Sequence, residues 1–308
     1  MAKVKLIIDT DPGVDDAMAI FFALLHPDIE VMGLTAVFGN VTVDVATRNA
    51  IVLGERAGQP TPVARGAQRP LVQAPNPVSD YVHGTEGFGD MEPQPIKGTA
   101  LDETAAEFIV RMINENPNEI TLCPIGPLTN IALALELDPS IAHKVKEVVI
   151  MGGAYGVAGN VSPHAEANIW NDPHAADAVF AADWSLKMVG LDVTHAVVFD
   201  PDDFAQLAAK APVLGGFLQQ AGDYYIDFYR RVVGINGCYM HDPMAVIATL
   251  RPELFSLENY PVEVKVNGAE IGQTCHSDIP NRSHTQVCTG VKAEEVKALF
   301  MDTIQAGF

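Results

Sequence analysis

The sequence predicts an α/β protein with a mostly parallel central sheet, and two observations support this class. Short apolar runs alternate with longer segments of helical period, which is the pattern of βαβ units. The composition, 48% hydrophobic and only 19% charged over 308 residues, is that of a compact globular chain. A chain of this length can bury a large core.

Turn and stop signals set the limits of the predicted elements. The first helix ends before Pro27, because the residue that precedes a proline disfavours the α conformation, and Gly58 stops the second helix. Phe38-Gly39-Asn40 is the exit loop of the second strand. In chain order, the predicted strands are residues 4–8, 30–36, 120–123, 147–151 and 186–191, and the predicted helices are residues 16–25, 43–57 and 128–137.

Two segments depart from this alternation. Residues 70–97 are rich in Pro and Gly and lack either period, so they predict a long loop, and such loops in compact domains are often lids. Near the end of the chain, strands at residues 262–266 and 285–291 around the turn Asn267-Gly268 predict an antiparallel C-terminal hairpin. A helix at residues 293–304 follows it.

Composition and charge narrow the domain organisation and the partners. No repeat or linker interrupts the sequence, so residues 1–308 are predicted to form a single Rossmann-like domain. The formal net charge of −20 disfavours nucleic acids and anionic membranes, because both bind Lys and Arg. The first apolar run is too short for a signal peptide, and no stretch reaches the roughly 18–20 apolar residues of a membrane span. We therefore expect a cytoplasmic protein. Four cysteines form no C-x-x-C pair and are expected to be reduced, namely Cys123, Cys238, Cys275 and Cys288.

Four aspartates lie close together after the first predicted strand: Asp9, Asp11, Asp15 and Asp16. Open α/β sheets bind ligands at the carboxyl ends of their strands. Carboxylates so close repel one another and raise one another's pKa unless a cation compensates them, and Ca²⁺ or Mg²⁺ is the natural partner of such oxygens. Capping of the first helix would explain Asp15 and Asp16, but not the other two.

Two other aspartate-rich designs can be tested on the same segment. A calcium loop of the EF-hand type starting at Asp9 needs Gly at its sixth position and Glu at its twelfth, where this sequence has Val14 and Ile20. A phosphoryl-transfer enzyme could use Asp9 as nucleophile and Asp11 as acid. That enzyme class remains the alternative function, although the P-G-V-D-D continuation fits it poorly.

The segment D-T-D-P-G-V-D-D-A-M-A-I at residues 9–20 resembles the signature of the inosine–uridine-preferring nucleoside hydrolase family. Further motifs match in the family's order along nearly the whole chain. They are G-N at 39–40, T-R-N-A at 47–50, V-H-G at 82–84, I-G-P-L-T-N-I-A at 125–132, V-I-M-G-G at 149–153, A-E-A-N-I at 165–169, G-L-D-V-T at 190–194 and M-H-D-P at 240–243.

The resemblance implies a calcium-dependent enzyme that hydrolyses ribonucleosides to free base and ribose in nucleoside salvage, as a homo-oligomer (tetramer or dimer). The matching calcium ligands are Asp11, Asp16, Asp242 and the backbone carbonyl of Ile125. Asp242 could instead cap a helix that has Pro243 at its first position. A non-catalytic nucleoside-binding protein with the same pocket is a third possibility, which the complete set of acids disfavours.

The resemblance also implies a set of ribose contacts. Those with assigned positions are Asp15 and Asn168 for the 2′- and 3′-hydroxyls, Glu166 and Asn160 for the 5′-hydroxyl, and Asn40 and Met151 elsewhere on the substrate side. Glu166 and Asn168 are two apart and would point the same way if that segment is extended. For Asn160, which follows Gly159, a simple turn is an equally good explanation.

The implied mechanism is an inverting displacement by water with no covalent intermediate. Asp11 would accept the proton of the water, and His241 would protonate or hydrogen-bond the leaving base. Tyr225 and Tyr229 are four apart and would share one helix face, where they could reach the base or pack in the core. In the family, tyrosines at these positions accompany purine-accepting or broad members, so we expect broad specificity.

The predicted lid contains one further candidate for contact with the base. His83 could contact the base as the lid closes. The sequence H-G-T-E-G at residues 83–87 departs from the family's usual H-G-E-S-G, which leaves the base preference and the lid geometry open.

Overall fold

The computed structural model describes residues 3–307. Its strands are β1 (Val4–Thr10), β2 (Ile29–Ala36), β3 (Val63–Arg65), β4 (Ile120–Pro124), β5 (Glu147–Met151), β6 (Leu186–Val189), β7 (Val198–Phe199), β8 (Cys238–Tyr239), β9 (Phe255–Val264), β10 (Thr274–His276) and β11 (His284–Val291).

The helices surround this set of strands. They are α1 (Val14–Leu25), α2 (Val43–Arg56), α3 (Asp80–His83), α4 (Ala105–Glu115), α5 (Thr129–Leu137), α6 (Ala167–Asn171), α7 (Pro173–Ala181), α8 (Leu191–Thr194), α9 (Pro201–Lys210), α10 (Leu214–Val232), α11 (His241–Leu250) and α12 (Ala293–Ala306), with 3₁₀ turns at Pro139–His143 and Pro252–Leu254.

The central sheet has nine strands in the order β10-β9-β11-β6-β5-β4-β1-β2-β3. The run from β11 to β3 is parallel throughout, whereas β9 pairs antiparallel with both β10 and β11. From β1 the chain proceeds outward to β3 on one side and from β4 to β6 on the other. The order therefore reverses between β1 and β4, and open α/β sheets bind their ligands beside such a point. The predicted fold class is confirmed.

The core lies on both faces of this sheet. Along β1, Leu6 and Ile8 join an apolar cluster with residues of α1, α10, α11 and α12, whereas Ile7 joins a second cluster with residues of α4, α5 and α7. Alternate residues of a strand point to opposite faces, so the helices cover the sheet as two layers. A strand buried on both faces has the continuous apolar sequence seen here.

The C-terminal addition is larger than the predicted hairpin. Strand β9 does pair antiparallel with β11, as predicted, but it begins at Phe255, and residues 256–259 are exposed. The turn at Asn267-Gly268 leads into the short strand β10 rather than into β11. The predicted strand at residues 186–191 ends at Val189, because Gly190 caps α8.

Other features of the chain agree with the sequence predictions or extend them. The four cysteines are free. The predicted loop at residues 70–97 contains the single helical turn α3. Within residues 3–307, no helix combines the length and the apolar character needed to cross a bilayer.

Candidate active site

A cavity of about 280 Å³ lies where β1, β2, β4 and β5 end. Most of the predicted site residues line it: Asp15, Asn40, His83, Ile125, Met151, Asn160, Glu166, Asn168, Tyr225, Tyr229, His241 and Asp242. Asp11 and Asp16 do not line it, but both accept hydrogen bonds from Asn40, which does. The fold thus brings together residues that are far apart in the sequence.

One end of the cavity is strongly acidic. The carboxylates of Asp15, Asp16 and Asp242 each offer an oxygen, and these oxygens lie within 4.8 Å of one another. Burial, reinforced by the neighbouring Asp16 carboxylate, raises the pKa of Asp15 to about 8. Burial and the nearby aspartates also raise the pKa of Asp242 well above its usual value. Near neutral pH such carboxyl groups are either protonated or compensated by a bound cation.

Asp16 is fixed by three donors from the loop and strand ends around it. It accepts hydrogen bonds from Thr10 Oγ1 at 2.5 Å, the backbone N–H of Gly13 at 2.9 Å and Asn40 Nδ2 at 3.2 Å. Gly13 is the cap of α1. The alternative in which Asp15 caps this helix is therefore wrong, and the Asp15 carboxylate is free to face the cavity.

Asp11 is enclosed between two glycines. Its Oδ2 accepts a hydrogen bond of 2.6 Å from the backbone N–H of Asn40. A Cβ atom at Gly39 would lie 2.0 Å from Oδ2, and one at Gly126 would lie 2.5 Å from Oδ1. Only residues without a side chain allow the backbone to approach this carboxylate so closely. Burial and the charge of Asp16 raise the pKa of Asp11 well above its usual value.

The acidic end has the properties of a site for a hard cation. Oδ1 of Asp11 and Oδ1 of Asp15 are buried without a hydrogen-bond partner among the described residues. His83 Nδ1 lies 3.9 Å from Asp15 Oδ1, but it accepts from the backbone N–H of Val14 and so has no proton for Asp15. No Lys or Arg lines the cavity within residues 3–307. Oxygen-only donors with unpaired lone pairs fit Ca²⁺ or Mg²⁺.

Asp9 belongs to the same acidic motif but has a different environment. Its Oδ1 accepts hydrogen bonds from Thr35 Oγ1 and from Asn130 Nδ2, the latter at 2.7 Å, and it does not line the cavity. Burial raises the pKa of Asp9 to about 7. Thr35 and Asn130 both bond Oδ1 of Asp9, which indicates a structural role and argues against Asp9 as the nucleophile of the phosphoryl-transfer alternative.

A wall of polar groups continues from the acidic end along β4, β5 and α6. Asn168 Nδ2 donates to the carbonyl of Ile125 at 2.9 Å and to the carbonyl of Met151 at 3.1 Å. A carbonyl oxygen has two lone pairs, so that of Ile125 retains acceptor capacity for an ion. Asn160 Oδ1 accepts from the backbone N–H of Ala167 at 3.0 Å.

The segment that carries Glu166 and Asn168 is not extended, so the predicted reason for their common direction is wrong. Glu166 is the N-cap of α6, where its Oε1 accepts from the N–H of Asn168 at 2.9 Å and its Oε2 from the N–H of Gly153 at 2.9 Å. Asn168 lies in the first turn of that helix. Both side chains nevertheless line the cavity.

The other end of the cavity contains a chain of hydrogen bonds between side chains. Thr194 Oγ1 lies 2.8 Å from His241 Nδ1, and His241 Nε2 lies 2.9 Å from the hydroxyl of Tyr229. The hydroxyls of Tyr229 and Tyr225 are 3.4 Å apart, and Tyr225 donates to Asp15 Oδ2 at 3.3 Å. This chain connects the aromatic end of the cavity to the acidic end.

His241 and Asp242 stand at the start of α11. The cap of this helix is Met240, so the alternative in which Asp242 caps it with Pro243 at the first helical position is wrong. Burial, with the nearby His195 and His83 rings, lowers the pKa of His241 to about 3. The imidazole is therefore neutral around pH 7 in the absence of a bound substrate.

The sequence analysis missed three residues of the aromatic end. His195 and Tyr239 line the cavity, with ring centroids 4.4 Å apart, and the His195 ring is 5.8 Å from that of His241. Thr194 is fully buried behind them. Thr194 belongs to the G-L-D-V-T motif, but that motif alone does not reveal its contact with a residue of α11.

Residues 79 and 81–83 of the predicted lid line the cavity. The backbone N–H of Ser79 donates to the carbonyl of Asn40 at 3.0 Å, and Tyr224 of α10 donates to the carbonyl of Asp80 at 3.0 Å. The His83 ring stacks on Tyr225 with centroids 5.1 Å apart. Burial lowers the pKa of His83 to about 3.

Comparison with known proteins identifies the family to which the chain belongs. The chain matches the family described as "Inosine-uridine preferring nucleoside hydrolase" over residues 6–298. It is 43% identical to "Uridine nucleosidase 1" of Arabidopsis thaliana, over 88% of this chain and 81% of that protein. It is 37% identical to the "Inosine-uridine preferring nucleoside hydrolase" of Leishmania major, over 98% and 97%. The solved "Purine-Preferring Ribonucleoside Hydrolase from Gardnerella vaginalis" superposes with a TM-score of 0.94 at 34% identity, covering 98% of each chain.

Proposed function

Because the chain belongs to the inosine-uridine preferring nucleoside hydrolase family and is therefore an N-ribohydrolase, we propose that it depends on Ca²⁺ and accepts both purine and pyrimidine ribonucleosides. The observation that carries this proposal is one cavity with two unlike ends. Its acidic end suits a hard cation and the hydroxyls of a ribose. Its aromatic end suits a planar base.

At the acidic end, Asp11, Asp16, Asp242 and the carbonyl of Ile125 are the groups that would hold the ion. The unpartnered Oδ1 of Asp11 and the grouping of Asp16 with Asp242 support this choice. Asp15 also belongs to that group, but its Oδ2 takes a hydrogen bond from Tyr225, and we assign it to the ribose. A bound Ca²⁺ supplies positive charge that offsets the carboxylates and makes water easier to deprotonate.

The protein groups around the ion divide the remaining tasks. Asp11, itself a ligand of the ion, accepts the proton of the attacking water. Asp15 and Asn168 hold the 2′- and 3′-hydroxyls, and Glu166 and Asn160 hold the 5′-hydroxyl. Glu166 already accepts backbone N–H bonds on both oxygens, so its position is fixed before substrate binds. Water attacks one face of the sugar while the base departs from the other, which gives inversion without a covalent intermediate.

At the aromatic end, His241, Tyr225, Tyr229 and His83 assist and contact the departing base. Hydrogen bonds to a ring nitrogen or exocyclic oxygen are available to purines and pyrimidines alike, which supports broad specificity. The named relatives include a uridine nucleosidase and a purine-preferring hydrolase with the same fold, so the fold accommodates either class of base.

One set of assays tests the proposal. The purified protein is incubated with adenosine, guanosine, inosine, cytidine and uridine, and the release of free base and reducing sugar is measured. Release of both from at least one purine and one pyrimidine substrate is expected. Strict use of one class would overturn the claim of broad specificity, and release of phosphate from nucleotides without nucleoside cleavage would restore the alternative enzyme class.

Metal analysis tests the proposed dependence on Ca²⁺. About one Ca²⁺ per chain is expected, and removal with a chelator should abolish turnover until Ca²⁺ is restored. Zinc in place of calcium, or full activity after chelation, would contradict the proposed site.

We also propose a homo-oligomer, a dimer or a tetramer, which acts in nucleoside salvage in the cytoplasm. The resemblance of its motifs to those of the family supports the oligomer, and sedimentation equilibrium measures it.

A further inference from the structure

We propose that Thr194 is a positioning residue for departure of the base: its hydroxyl holds the His241 ring through Nδ1 and thereby keeps Nε2 directed at the Tyr229 hydroxyl and the cavity. This inference rests on the proposed function, because it assigns a role in the same reaction. It adds a residue that does not line the cavity.

The placement of Thr194 is the first argument. Its side chain is fully buried, and within residues 3–307 the hydrogen-bond partner of its Oγ1 is His241 Nδ1, at 2.8 Å. A buried hydroxyl that meets an imidazole nitrogen at this distance makes a full hydrogen bond. Thr194 is the last residue of α8, and His241 is the first residue of α11. The bond therefore fixes one helix end against another.

Helix α8 is itself held firmly in place. The Asp192 carboxylate accepts from the backbone N–H groups of Tyr155 at 2.9 Å and Gly156 at 2.6 Å. Downstream of the helix, the N–H of Met240 donates to the carbonyl of Val197 at 3.0 Å. The Thr194 hydroxyl thus acts from a backbone that is fixed on both sides.

The direction of the hydrogen-bond chain is the second argument. Tyr225 donates its single hydroxyl proton to Asp15 Oδ2, so its oxygen must accept from Tyr229. When Tyr229 gives its proton to Tyr225, its oxygen accepts from His241 Nε2. A ring with its proton on Nε2 is the tautomer that makes all three hydrogen bonds at once. The chain therefore runs in one direction, from His241 towards Asp15.

A hydroxyl suits the other ring nitrogen better than a carboxylate or an amide does. It rotates, so it donates to a bare Nδ1 and accepts from a protonated one. Thr194 therefore holds the ring in either charge state and never competes for the Nε2 proton. Valine has the same shape but can do neither, so the Thr194→Val variant removes the anchor without removing volume.

The test compares two leaving groups. For Thr194→Val we expect kcat on inosine to fall about 10-fold, the effect of one buried hydrogen bond, with KM changed less than about 2-fold. Cleavage of p-nitrophenyl riboside should stay near the wild-type rate, because its leaving group departs without help. Thr194→Ser keeps the hydroxyl and should restore inosine turnover.

Thr249→Val is the matched control. Thr249 lies in α11 with His241, but its hydroxyl donates to the carbonyl of Val246 at 2.7 Å, so this variant loses a buried helical hydroxyl without touching the chain. It should behave as the wild type does. Equal losses on both substrates for Thr194→Val, or no rescue by Thr194→Ser, would show that Thr194 serves folding alone.

A measurement on the unaltered calcium-loaded enzyme keeps the inference testable if Thr194→Val fails to fold. In ¹⁵N spectra of histidine-labelled protein, with His241 assigned by comparison with His241→Gln, Nε2 should carry the proton. A proton found on Nδ1 alone would overturn the inference. If the wild type cleaves neither inosine nor p-nitrophenyl riboside, the proposed function fails instead, so the two failures are distinguishable.

Discussion

The two ends of the cavity are held by different kinds of bond. At the acidic end, Asp11, Asp16 and Glu166 each accept a hydrogen bond from at least one backbone N–H. At the aromatic end, His241 and Tyr229 bond to other side chains. Backbone N–H groups at strand ends and helix caps therefore contribute to the acidic end, beside the side chains of Thr10 and Asn40 on Asp16, whereas the chain at the aromatic end consists of side chains alone and depends on rotamers and hydroxyl directions.

This difference predicts how each end responds to change. Backbone donors cannot be removed by a single substitution, so the acidic end should recognise its ligand strictly. A chain of side chains can be altered one hydroxyl at a time, so the aromatic end should be adjustable. Sugar recognition would then be exacting, and base recognition would be tunable, within one cavity. The predictions below test this contrast, beginning with the largest expected effect.

The strictness of the acidic end is tested without any mutation. A 2′-deoxynucleoside leaves Asp15 and the ion without a hydroxyl partner, and sites built for a hydroxyl reject analogues that lack it by up to roughly 10⁴–10⁵. We expect kcat/KM for deoxyinosine to fall towards this range relative to inosine. The same ratio should hold for deoxyuridine and uridine. Comparable efficiency on inosine and deoxyinosine would remove the contrast.

Substitutions of Asp11 and Asp9, two aspartates at the end of β1, distinguish a catalytic role from a structural one. Asp11→Asn removes the proposed base and a charged ligand, so turnover should fall by at least roughly 10²–10⁴. Asp9→Asn keeps an oxygen that can accept from Thr35 and Asn130, and it should retain near-normal turnover. Steady-state rates of both variants on inosine give the answer. Similar losses in the two would mean that Asp9 takes part in the reaction.

Two substrates with different leaving groups test whether His241 assists the departure of the base. His241→Ala should slow inosine hydrolysis by about 10², at the lower end of acid–base effects, because the neutral ring supplies a hydrogen bond. It should scarcely alter cleavage of p-nitrophenyl riboside, which needs no help at the leaving group. Since His241 adjoins Asp242, damage to the ion site would slow both reactions equally. That result would assign His241 to structure.

The smallest expected effects come from the two tyrosines. Tyr229→Phe breaks the chain next to His241, and we expect about a 5- to 10-fold loss that differs between inosine and uridine. Its ratio of inosine to deoxyinosine should match the wild type. Tyr225→Phe also removes a donor from Asp15, so it should alter that ratio. If both variants leave sugar discrimination unchanged, the two ends are not coupled through Tyr225.

Much of this architecture could be predicted from the sequence. The alternation of apolar runs and helical segments gave the parallel sheet, and the acidic motif after the first strand located the cavity at its carboxyl edge. The spacing of Tyr225 and Tyr229 predicted that both share one helix face, and in the structure both lie in α10 and line the cavity. These features depend on local periodicity, which sequence preserves.

Features that arise from tertiary contacts could not be predicted. Asp9 and Asp11 look equivalent in the sequence, and only the neighbouring strand β2 and helix α5, which supply Thr35 and Asn130, distinguish them. The pairing of Thr194 with His241 joins residues 47 apart in the chain. The start of β9 at Phe255 was missed because residues 256–259 are exposed and mostly polar, and they pair with β11 through the backbone.

The two glycines that flank the Asp11 carboxylate are needed for the site although they carry no functional group. At Gly39 and Gly126 the requirement is for empty space, since even one methyl group would overlap an Asp11 oxygen. A survey of tolerated substitutions would therefore rank these two positions, which carry no reactive atom, beside the acids themselves. The absence of a side chain at Gly39 and Gly126 is therefore as necessary for this reaction as the presence of the acidic side chains.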